Sequence, residues 1–102
     1  MPILTPDALK NILDWLAASA PKAELASDSR RIGQGDVFVA YPGDEADGRS
    51  YIANAIERGA QAVIYEAAGC NWEAEWDVAH LPVENLKEHA GEIAAAYYAH
   101  PD

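Results

Sequence analysis

Hydrophobic residues fall into two patterns along this chain. Leu9, Ile12, Leu13 and Leu16 lie three or four apart and mark one face of a helix. Thr5-Pro6-Asp7 supplies its start, with a side-chain cap, a proline in the first turn and an acid near the positive end of the dipole. Leu86, Ala90, Ile93 and Tyr97 repeat that spacing near the other end of the chain, after Asn85 and Glu88 in a capping-box arrangement. Val37 to Tyr41 and Ala62 to Tyr65 are instead apolar at every position. Runs of that length and type are strands covered on both faces. Between them Ile52, Ala55 and Ile56 form a helical face, with Ser50 placed to cap it and Gly59 at the left-handed position after it. Strand, helix and strand in some thirty residues make a βαβ unit with parallel strands.

Weaker signals complete the outline. A short extended segment surrounds Leu25, Ile32 to Gly35 reads as a turn, and Val78 to Val83 holds a further strand. Trp72 and Trp76 are spaced to share one face of a short helical turn, and their expected fate is core or edge packing. The expected fold is α/β: a small mixed, mainly parallel sheet with a βαβ unit and flanking helices. At 102 residues, one domain spanning 1–102 is expected.

Composition narrows the partners. Half of the residues are hydrophobic, which excludes a disordered chain. The formal net charge of -10 repels phosphate backbones and anionic membranes, so neither nucleic acid nor membrane is expected as a partner. Any anionic ligand has to be held by local donors. Cys70 is the one cysteine, so no disulfide can form within the chain. No stretch approaches the roughly 20 apolar residues of a membrane span, and the start lacks a leader-like apolar run. A cytoplasmic domain is the expectation.

Candidate chemistry lies in two polar loops. In open α/β sheets ligands sit outside the carboxyl ends of the strands. The loop from Pro42 to Arg49 follows such an end, and Ser27 to Arg31 shares the edge if the segment at Leu25 is parallel too. Together they offer hydroxyls, amides freed by glycine, the helix start at Ser50, and Arg30, Arg31 and Arg49, a set able to hold a nucleotide diphosphate. The alternative is two ordinary turns with solvated arginines. No G-x-x-x-x-G-K-[ST] loop, no G-x-G-x-x-G after a strand and no G-x-S-x-G elbow is present. His80, His89 and His100 are too far apart for a local metal motif, and neither catalytic nor metal-binding residues are assigned. Tyr41 and Tyr65 occupy strand ends where a phospho-acceptor domain needs an aspartate and a lysine.

The run Asp28-Ser29-Arg30, Gly35-Asp36-Val37-Phe38-Val39-Ala40, Gly43 and Asp47-Gly48-Arg49 resembles the N-terminal domain of the Mur ligase family. Tyr51-Ile52, Ala55-Ile56, Gly59-Ala60 and Ala62-Val63-Ile64 continue the likeness, and Ala94 to Tyr98 with His100-Pro101 resembles the lead into the family's central domain. The branch it resembles most adds the third peptide residue, diaminopimelate or lysine, to UDP-N-acetylmuramoyl-L-alanyl-D-glutamate. The branch that adds D-alanyl-D-alanine is the alternative, and a stand-alone interaction domain is a second one. The resemblance implies that this domain binds the UDP-N-acetylmuramoyl end of the precursor. ATP and magnesium belong to a covalently linked central domain, and a C-terminal domain completes the amino-acid site; this chain needs no cofactor and is inactive alone. Carried over by position, the substrate contacts are Ser27, Ser29, Asp44, Glu45 and Ala46. Arg30 and Arg49 rank behind them, with pairing of Arg30 to Asp28 or Asp47 as the structural alternative.

Overall fold

Each uninterrupted apolar run becomes a strand with a layer on either side. In the computed structural model, which describes residues 6–21, 23–43, 47–69 and 72–99, β2 (Val37–Ala40) and β3 (Ala62–Glu66) are buried at every position. Their side chains alternate between two cores. Val37, Val39, Ala62 and Ile64 face α1 (Pro6–Ser19) and α3 (Leu86–Ala99). Phe38, Ala40, Val63 and Tyr65 face α2 (Ile52–Glu57). Fully burying a residue such as Phe38, Leu16, Ile52 or Ile64 contributes about 1.5–3 kcal/mol, so these two cores carry the fold.

Two further strands flank the central pair. β1 (Leu25–Ala26) lies beside β2, and β4 (Ala79–Val83) beside β3, giving the order β1-β2-β3-β4 with every described pairing parallel. The expected mainly parallel sheet and its β2-α2-β3 unit are therefore present. β4 alternates in burial: Leu81 packs against the α1/α3 core while His80 and Pro82 are exposed, as suits an edge. The end of α3 ties down the other edge. Tyr97 Oη donates to the Ala23 carbonyl at 2.7 Å, and the Leu25 amide donates to Tyr98 Oη at 2.7 Å.

Three local expectations change. Ser50 is not the cap of the second helix. Asp47 caps a short 3-10 turn, Gly48–Tyr51, which runs into a helix of only six residues. Asn85 does not open α3 as a capping box, because its φ is +56°. The buried carboxylate of Glu66 instead accepts the amides of Asn85 and Leu86 at 3.1 and 2.9 Å. Trp72 and Trp76 meet without a helical turn: Trp72 Nε1 donates to the Trp76 carbonyl at 3.2 Å, and the rings touch edge to face at 5.0 Å. Trp72 also stacks on His80 at 4.0 Å. Gly59 holds the expected left-handed conformation, with φ +111°. Thr5, Cys70 and His100 lie outside the described residues.

Candidate functional site at the carboxyl rim

Parallel pairing of β1 with β2 puts the loops that follow them on one edge of the sheet. Both loops use the same three-residue device, an aspartate followed two residues later by an arginine. Asp28 caps the 3-10 turn Ser29–Arg31, taking the Arg30 amide at 2.9 Å while Nε and Nη2 of Arg30 reach its carboxylate at 3.1 and 2.9 Å. Asp47 repeats this with the Arg49 amide at 3.0 Å, Nε at 2.9 Å and Nη2 at 2.7 Å. The guanidinium hydrogen bond holds the Asp28 carboxyl down at about 2, and Arg49 lowers that of Asp47 in the same way.

The two pairs differ in burial. The Arg30 side chain is 82% exposed and that of Arg49 is 18% exposed. Arg49 also donates through Nη1 to the carbonyls of Glu66 and Ala68, so it fastens the loop after β2 to the loop after β3. Both arginines thus have structural partners on the rim, as the alternative for Arg30 anticipated.

The second loop closes on itself. The Gly48 amide donates to the Tyr41 carbonyl at 2.9 Å, and Pro42 bridges to Asp47. A Cβ at Gly48 would stand 2.9 Å from that carbonyl oxygen, which explains glycine between Asp47 and Arg49. Asp44, Glu45 and Ala46 fall between these anchors and lie outside the described residues.

Beside this rim a groove of about 220 Å³ opens between the sheet and α3. Leu25, Ser27, Val39 and Tyr41 line it from the sheet side, and Ala90 and Gly91 from the helix side. Its wall is largely apolar. Of the residues expected to touch a ligand, Ser27 lines the groove; Ser29 is buried in the adjoining 3-10 turn, on the same edge but off the lining. Sequence reasoning missed Tyr41 and the small residues of α3 as walls. Their signal was an aromatic at a strand end and the trio Ala90, Gly91 and Ala94 on one stretch of helix.

No grouping of three or more metal-ligating side chains occurs among the described residues. His89 is buried against Glu92, with 2.7 Å between Nδ1 and Oε1. Among the described residues, no helix is long and apolar enough to cross a membrane.

A family model described as "Mur ligase family, catalytic domain" matches residues 23–98. The chain is 87% identical over all 102 residues to the UDP-N-acetylmuramoyl-L-alanyl-D-glutamate--2,6-diaminopimelate ligase of Janthinobacterium sp. (strain Marseille), covering 20% of that protein. It is 46% identical over 96 residues, 93% of its length, to the ligase of the same name from Neisseria meningitidis serogroup A, again covering 20% of it. It thus spans about one fifth of these curated relatives. The MurF ligase of Thermotoga maritima, solved in complex with ADP, superposes with a TM-score of 0.56 and 28% identity, over 72% of this chain and 16% of that one.

Proposed function

Because the chain belongs to the Mur ligase family, we propose that it is the N-terminal, substrate-binding domain of a ligase that adds 2,6-diaminopimelate to UDP-N-acetylmuramoyl-L-alanyl-D-glutamate. The observation that carries this reading is 87% identity along the whole chain to a relative of that name, against 28% to the MurF ligase. The D-alanyl-D-alanine-adding alternative is correspondingly disfavoured.

In this reading the domain holds the UDP end of the precursor at the carboxyl rim. A groove of about 220 Å³ is smaller than the roughly 300–1,000 Å³ of sites that enclose a whole ligand, so it takes one ring of a larger molecule. Its apolar walls suit the uracil end. The diphosphate then lies toward the loops after β1 and β2, near Ser27, Ser29 and the 44–46 segment. Carboxylates at Asp44 and Glu45 repel a diphosphate, so main-chain amides make the contacts there. ATP, magnesium and acyl-phosphate chemistry belong to the remainder of the ligase, since the chain encodes no P-loop.

Amide NMR during a UDP titration tests the proposal. Signals from Ser27 to Arg31 and from Asp44 to Arg49 shift together, whereas ATP leaves them in place. Unmoved signals at millimolar UDP refute it. A protein partner captured with no nucleotide effect on melting favours a stand-alone interaction domain instead.

A further inference from the structure

Two positions in the groove wall stand apart from the rest. Tyr41 brings an aromatic ring to the point where β2 leaves the sheet, packed on the α1/α3 side. Its backbone carbonyl is committed to Gly48, and among the described residues its hydroxyl has no hydrogen-bond partner. Across the groove, Gly91 lies well inside the 14-residue helix α3, where glycine weakens a helix relative to alanine. No close packing calls for glycine there, because a Cβ would meet nothing within 4 Å, and no left-handed conformation does either. The open space it leaves is part of the groove mouth.

We infer that Tyr41 and Gly91 are the two sides of a slot for a flat pyrimidine ring, and that they set the base specificity of the site. The Tyr41 ring stacks on one face of the base, and the bare backbone at Gly91 keeps the other side wide enough to admit it. The apolar floor of Leu25, Val39 and Ile64 excludes water from the stack. A groove of about 220 Å³ admits a single six-membered ring more readily than a fused purine, so UDP binds in preference to ADP. This inference rests on the UDP-binding reading above.

Isothermal titration of UDP and ADP into the full chain, with thermal melting of each variant, tests it. Tyr41→Leu keeps the apolar fill but removes the ring and weakens UDP about tenfold, as loss of base–aromatic stacking does. Tyr41→Trp retains affinity, and UDP quenches its fluorescence. Gly91→Ala melts higher than the parent yet binds UDP less tightly, and Gly91→Leu abolishes binding. Ala95→Leu, on an exposed position of α3, leaves binding unchanged. If the parent chain does not bind UDP, the functional reading fails and the slot with it. If the parent binds UDP but Tyr41→Leu or Gly91→Leu keeps its affinity, or ADP binds equally well, the slot is overturned while the functional reading stands.

Discussion

Replacing Arg49 and Arg30 in turn by alanine separates two copies of one motif by burial alone. Each arginine chelates an aspartate two residues before it, and each aspartate keeps its backbone cap when the side chain is cut back. The Arg49 side chain is only 18% exposed and holds three further contacts: Asp47 through Nη2, and the carbonyls of Glu66 and Ala68 through Nη1. Hydrogen bonds to charged groups contribute about 1.5–3 kcal/mol each when buried. Asp47 is 39% exposed, and water replaces part of what it loses, so its share is discounted. The sum is about 2–3 kcal/mol for Arg49→Ala, a large fraction of the roughly 5–15 kcal/mol typical of a whole domain. Arg49→Lys recovers less than half, because a point charge cannot span a carboxylate and two carbonyls at once. Arg30→Ala, on a side chain 82% exposed, leaves the urea midpoint where it was. Equilibrium urea unfolding reads all three, with an unchanged slope as the check that the denatured state is the same. Equal midpoints for the Arg49 and Arg30 variants would show that the clamp to the loop after β3 carries no stability.

Gly48→Ala drives a Cβ to 2.9 Å from the Tyr41 carbonyl and costs about 1–3 kcal/mol by chemical unfolding, with amide shifts concentrated at residues 41–49. Glu66→Ala strands the amides of Asn85 and Leu86 and costs about 2–4 kcal/mol, while Glu66→Gln costs about half as much because one acceptor oxygen remains; hydrogen exchange in the first turn of α3 rises in both. The Asp28 carboxyl titrates at about 2 by NMR, below its ordinary 3.8, so its pairing with Arg30 is complete above pH 3.8 and is lost as pH falls through 2; Arg30→Ala returns the midpoint toward 3.8.

How legible each part was follows from how far away its cause lies in the sequence. The central strands could be read because burial on both faces leaves no polar position in Val37–Ala40 or Ala62–Tyr65. The faces of α1 and α3 followed from spacing alone. Caps were misassigned where the acceptor was not the nearest polar residue. Ser50 yielded to Asp47, three positions earlier, and the start of α3 is held by Glu66, about twenty positions away. A local motif cannot register a partner supplied by another strand.

The rim shows the same division. Shared position of the loops after β1 and β2 was legible, since it needs only a parallel pairing. The groove walls were not, because Tyr41 and Gly91 face each other only once α3 has packed back across the sheet. The arginines were harder still. In a chain of net charge -10 they look like the donors a diphosphate requires, yet the aspartate two residues before each one already holds it. That pairing reshapes the electrostatics of the candidate site. Arg30 and Arg49 come to the rim as neutralised pairs that shape its turns. Attraction for a phosphate there has to come from main-chain amides at short range, and recognition of the ligand from the fit of its ring.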